Sequence, residues 1–100
     1  MNPRQLEQMV KQTQKQMMKI QEELAHEYVE GKAGSYITVK MNGHRDIQSI
    51  TIAPEVVDPD DIDTLQELLL TAINDASKKA QELTEKRMGP LTGGMKLPGF

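Results

Sequence analysis

The chain has 100 residues, 37% of them hydrophobic and only 3% aromatic, and carries a net charge of −3. That length supports one small core, which Leu, Ile, Val and Met must fill, so self-association is an expected source of further buried area. The absence of cysteine excludes disulfides, thiol catalysis and zinc ribbons, and no apolar run reaches membrane-spanning length, so a soluble intracellular protein is expected.

Asn2-Pro3 reads as a helix N-cap followed by proline at the first helical position, where a missing amide hydrogen costs nothing. The helix is expected to run to about His26. Leu6, Val10, Thr13, Met17, Ile20 and Leu24 alternate spacings of four and three, which keeps them on one apolar stripe. At about 100° per residue, Arg4, Lys11, Lys15 and Lys19 gather opposite that stripe. Between Arg4 and Ile20 the only acid is Glu7. Two readings of this basic face stand: a solvated surface, or a row of cations for phosphate groups. A purely solvating face usually interleaves both signs to form i,i+4 pairs.

Glu27-Tyr28-Val29-Glu30-Gly31 reads as a first strand, with Lys32-Ala33-Gly34-Ser35 as a loop. Tyr36 to Met41 alternates sides, Asn42-Gly43 forms a two-residue type I′ turn, and Ile47 to Ala53 returns, giving a three-stranded antiparallel sheet. Ile37, Val39 and Met41 then share a face with Ile50 and Ile52. Ile47 is out of phase with that set, so it lies at the strand mouth or a bulge near Gln48-Ser49 resets the register. His44 and Arg45 sit at the turn as exposed polar residues, with Arg45 within reach of a ligand.

Asp58-Pro59-Asp60-Asp61 opens a second helix, expected from about Asp60 to Arg87. Asp58 serves as N-cap, Pro59 takes the first helical position, the next two acids face the positive helix end, and Val57 staples onto Ile62. The acidic run also invites a metal reading, but an EF-hand needs a glycine and a twelfth-position glutamate that are missing. The apolar stripe is Ile62, Leu65, Leu69, Ile73, Ala76, Ala80 and Leu83, widened by Leu68 and Leu70. A strip that wide serves both the sheet and a further partner. Acids dominate the first half of this helix, whereas Lys78, Lys79, Lys86 and Arg87 occupy its last turns. Met88-Gly89-Pro90 is expected to end it, leaving residues 1–88 as one α+β domain and residues 89–100 as a flexible tail.

A helix of 28 residues is about 42 Å long, whereas six-residue strands span about 20 Å, so the helices must overhang the sheet. An enzyme is not expected: with two scattered histidines, no cysteine and no glycine-rich phosphate loop, the general acid, base and nucleophile lack candidates, and neither cofactor nor metal is called for.

Pro54-Glu55-Val56-Val57-Asp58-Pro59-Asp60-Asp61, then Ala72-Ile73-Asn74-Asp75-Ala76 and Lys79-Ala80-Gln81-Glu82-Leu83, then Met88-Gly89-Pro90-Leu91-Thr92-Gly93-Gly94, resemble the YbaB/EbfC family of bacterial nucleoid-associated proteins. The resemblance covers essentially the whole chain and is most specific over Pro54 to Asp61 and the helix 2 block. It implies an α-β-β-β-α protomer, a tight homodimer with helices projecting like tweezers, a place in the cytoplasmic nucleoid, and binding to duplex DNA with little sequence preference. The segregation of charge then makes Arg4, Lys11, Lys15, Lys19, Lys78, Lys79, Lys86 and Arg87 the expected phosphate contacts. Ile37 and Val39, with Leu68, Leu69 and Leu70, are the expected dimer interface. The alternative is a protein-interaction adaptor for recombination or replication factors with negligible DNA affinity.

Overall fold

The computed structural model describes residues 2–92, of which residues 90–92 are described by backbone alone. In chain order the elements are helix α1 (Pro3–Leu24), strands β1 (Tyr28–Ala33), β2 (Ile37–Asn42) and β3 (Ile47–Ile52), a short 3-10 turn (Pro54–Val56) and helix α2 (Ile62–Thr92). The sheet is antiparallel in the order β1-β2-β3. The α-β-β-β-α order expected from the sequence is therefore present.

Alternation in β2 does what the sequence requires: Ile37, Val39 and Met41 are buried while Thr38, Lys40 and Asn42 are not. Across the sheet, Gly31 faces Val39 and Ala33 faces Ile37, and α2 closes over this face. The contact is made by small residues, since Ala72, Ala76 and Ala80 are all fully buried. A Cβ on Gly31 would lie 2.2 Å from both the Ala72 carbonyl oxygen and the Ala76 nitrogen. Only glycine lets the helix axis approach so closely. Leu65, Leu68, Leu69 and Ile73 pack around this seam.

The helix does not reach β3. Ile50 and Ile52 pair with Val39 and Ile37, hence share their face, yet they remain 42% and 36% exposed. Ile47 pairs with Met41 because the register shifts between Lys40 and Met41. Ser49 faces Lys40, so Gln48 is the extra residue of a bulge, which settles the phase of Ile47.

Several local expectations are corrected. β1 extends through Lys32 and Ala33, and the loop after it is Gly34 to Tyr36, with Gly34 at φ 57°. Asn42-Gly43 is not a two-residue turn. The connection spans residues 43–46 and its left-handed residue is Arg45, at φ 66°. Asn42 Oδ1 accepts from the amides of His44 (2.9 Å) and Asp46 (3.0 Å), which folds the longer loop back on itself. Gly43 is held by tertiary contact, as its N–H points at the carbonyls of Leu24 (2.9 Å) and Glu27 (3.0 Å).

At the start of α2 the cap is Asp61. Its Oδ1 accepts from Thr64 N (3.3 Å) and its Oδ2 from the Thr64 hydroxyl (2.7 Å), the pattern of an N-cap bonded to N3. Asp58 instead accepts from Asp60 N (2.9 Å) in the turn before the helix. Val57 and Ile62, expected to staple together, both stay exposed. At its other end α2 continues through Met88-Gly89-Pro90 to Thr92, because Gly89 keeps helical backbone and a proline in the last turn removes only one helical hydrogen bond. The remainder of the expected tail, residues 93–100, lies outside the described residues.

The long axis is 69 Å against 26 and 16 Å for the others. Overhang is the cause, as expected from the element lengths. No helix among the described residues is long and apolar enough to cross a membrane.

Candidate nucleic-acid interface

Helix α1 starts where the sequence indicates: Asn2 Oδ1 accepts from Gln5 N (2.9 Å) and Pro3 occupies the first turn. Its root is fixed and its body is not. Leu24 is the one fully buried residue of α1, and Ile20 and Glu23 are half-buried, whereas Pro3 through Lys19 are all exposed. Leu6 at 55% and Val10 at 48% show that the apolar stripe, too, lacks a cover from its own protomer. The helix is an arm.

Arg4, Lys11, Lys15 and Lys19 share one side of that arm over a length of about 22 Å, at 1.5 Å per residue. Gln8 and Gln12 alternate with Lys11 and Lys15 in a shallow depression on this surface. None of the four cations forms an ion pair among the described residues, where the pairs are Lys79 with Asp75 and Arg87 with Glu23 and Glu27. An unpaired row of one sign keeps its full field in solution, although the chain as a whole is acidic.

The four cations of α2 divide. Lys78 and Lys86 are exposed and unpaired. Lys79 Nζ lies 3.1 Å from Asp75 Oδ2 and donates to the Glu30 carbonyl at 2.9 Å. Asp75 Oδ2 also accepts from Lys32 N at 2.9 Å. That backbone hydrogen bond, followed by the one from Lys79, holds the Asp75 carboxyl below the usual aspartate range. This pair stitches helix to strand. Arg87 donates through Nη1 to Glu27 Oε1 (2.8 Å) and through Nη2 to Glu23 Oε2, which ties α2 to the root of the arm. Two of the eight expected phosphate contacts are thus occupied within the protomer, and the sequence carries no sign of it because the Arg87 partners lie 60 and 64 residues away.

The expected interface residues also separate. Ile37 and Val39 are fully buried in the protomer's own core and offer a second chain no surface. Leu68 and Leu69 are half-buried, and Leu70 is 60% exposed. The larger uncovered apolar surface is one the sequence reading assigned to the core: Ile47, Ile50 and Ile52 on β3, with Val57 and Ile62. On the opposite face of the sheet, Lys40 Nζ sits 4.7 Å from the centre of the Tyr28 ring, a cation–π contact that occupies another lysine. Among the described residues no group of three or more His, Asp or Glu side chains converges as a metal site.

An α-β-β-β-α protein that carries a basic helix clear of its body is the class defined by this fold and charge pattern. The chain belongs to the YbaB/EbfC DNA-binding family, whose sequence model matches residues 1–95. It is 77% identical over 100 residues to a nucleoid-associated protein of Roseiflexus castenholzii, covering all of both chains. It is 70% identical over 97 residues to one of Chloroflexus aurantiacus, covering 96% of this chain and 97% of the other. A crystal structure of an uncharacterized protein from Helicobacter pylori superposes with a TM-score of 0.81 at 21% identity, over 93% of this chain and 99% of that one. It shares the fold.

Proposed function

We propose that this chain is a non-catalytic nucleoid protein that binds duplex DNA as a homodimer with little sequence preference. The observation that carries the reading is the unpaired row Arg4, Lys11, Lys15 and Lys19 on a helix that its own protomer leaves bare. Lys78 and Lys86 extend the set on α2. Lysines placed this way meet phosphates rather than base edges, because an ammonium on a flexible stem neutralises charge without fixing a donor pattern. Membership of a DNA-binding family and the nucleoid-associated names of close relatives support the same partner and a cytoplasmic, nucleoid setting.

The homodimer follows from uncovered apolar surface. Ile47, Ile50 and Ile52 lie on an edge strand with no lysine and no proline to guard it, and such an edge is usually covered. A second copy related by a twofold axis covers it and brings two arms to one duplex, where they can alter its path.

Duplex binding measured across a range of salt concentrations tests this reading. Counterion release makes log K fall with log salt by about 0.9 per phosphate contact, so the four cations of one arm predict a slope of roughly −3 to −4. Negligible or salt-insensitive binding would instead identify the protein-interaction adaptor, whose docking surface is the exposed apolar stripe.

A further inference from the structure

At the root of the arm, α1, the hairpin tip and the last turns of α2 meet in a network that packing alone does not demand. Gly43 N–H reaches the carbonyls of Leu24 and Glu27, and Asn42 Nδ2 donates to the Ala25 carbonyl at 3.3 Å. His44 Nε2 lies 2.7 Å from the Gln21 carbonyl; a carbonyl only accepts, so this nitrogen carries the proton. Thr84 donates its hydroxyl toward the Gly43 carbonyl at 3.0 Å. Arg87 then spans the join, holding Glu23 from the last turn of α1 and Glu27 from the strand entry in one fork.

We infer that the Arg87–Glu23–Glu27 fork is a latch that positions the DNA-binding arm, and that Arg87 is a positioning residue rather than a phosphate contact. Three observations carry this. Both guanidinium ends are already engaged by carboxylates, so a phosphate could reach Arg87 only by displacing one. Glu27 Oε2 is buried without a hydrogen-bond partner, a cost that the fold retains where the other oxygen holds the arginine. Beyond this root, residues 3–19 of α1 stay exposed all round, so the direction of the basic row depends on how rigidly the root is held. A planar guanidinium gripping two carboxylates fixes direction as well as distance. Binding by an arm already in place avoids the ordering cost that a swinging arm would incur.

The inference rests on the DNA-binding reading, and the sign of one effect separates the latch from simple electrostatics. Glu23→Gln with Glu27→Gln removes two negative charges per chain near the basic face, so electrostatics alone predicts tighter binding to duplex DNA. The latch predicts binding at least threefold weaker. A second readout is independent of DNA. Since the chain has no cysteine, spin labels at Gln16→Cys and Asn74→Cys, diluted into unlabelled protein, report the angle between arm and body within one protomer. The double variant should broaden that distance distribution, and Glu23→Gln alone, which leaves Arg87 its bond to Glu27, should broaden it less and serves if the double variant misfolds. Equal or tighter DNA binding, or an unchanged distribution, overturns the latch. If the unmodified protein fails to bind duplex DNA the functional reading falls, and the label distances still decide the latch.

Discussion

The body and the arm of this molecule obey different rules. In the body, formed by the sheet and α2, residue identity is set by what lies beside it: Gly31 must be glycine because Ala72 and Ala76 press on it, and Lys79 reaches Glu30 because Asp75 holds it there. In the arm, residues 3–19 of α1, every residue is exposed, so no internal neighbour explains the order of its lysines and methionines. Stability and binding are therefore written in separate segments, and a change in one should leave the other measurable.

The strongest way to break that separation is to strike the seam. Gly31→Ala places a Cβ 2.2 Å from backbone atoms of α2, which helix backbone cannot yield, and should cost about 3 kcal/mol of stability in denaturant unfolding. Lys15→Ala, on the arm, should stay within about 0.5 kcal/mol in the same assay. An equal loss from both would show that the arm is packed against something in solution.

Next in size is the edge of the body. Ile50→Asp puts a charge on the uncovered face of β3 and should weaken the dimer roughly 100-fold by sedimentation while each chain keeps its secondary structure, since a charge buried at an interface core acts as a hot-spot loss. A dimer of unchanged strength would move the interface elsewhere, with Leu70 the first alternative. The smallest effect lies at the helix cap. Asp61→Ala should cost about 1 kcal/mol through lost capping, and Asp58→Ala, which removes only a turn contact, should cost less. The reverse order in thermal unfolding would restore Asp58 as the cap.

What the sequence made legible also differs between the two regions. Periodicity announces the arm's stripe, its basic side and its Asn2-Pro3 start, because all three depend only on residues within a few positions of one another. The strands and the bulge at Gln48 were visible for the same reason. The body hid more. Among three aspartates in four positions, Asp58 and Asp61 both precede helical sequence, and only the path of the turn chooses between them. Asn42-Gly43 looks like a two-residue turn until Leu24 and Glu27 claim the Gly43 amide. The pattern of β3 marks Ile50 and Ile52 as inward, but it cannot say that the covering helix stops short of them. The occupation of Arg87 and Lys79 was invisible, because periodicity identifies cations on a face without identifying a partner from the far end of the chain.

The central claim is that the basic side of the arm is the DNA surface, and charge reversal there is its most direct test. Lys11→Glu, Lys15→Glu and Lys19→Glu are combined in one protein, checked by circular dichroism and sedimentation for an intact fold and assembly, and titrated with duplex DNA at several salt concentrations. The account predicts binding weakened at least tenfold, with the slope of log K against log salt reduced by about 2.7 for three lost phosphate contacts. Binding as tight as that of the unmodified protein, with the same slope, would contradict it and leave the arm's lysines as a solvated face.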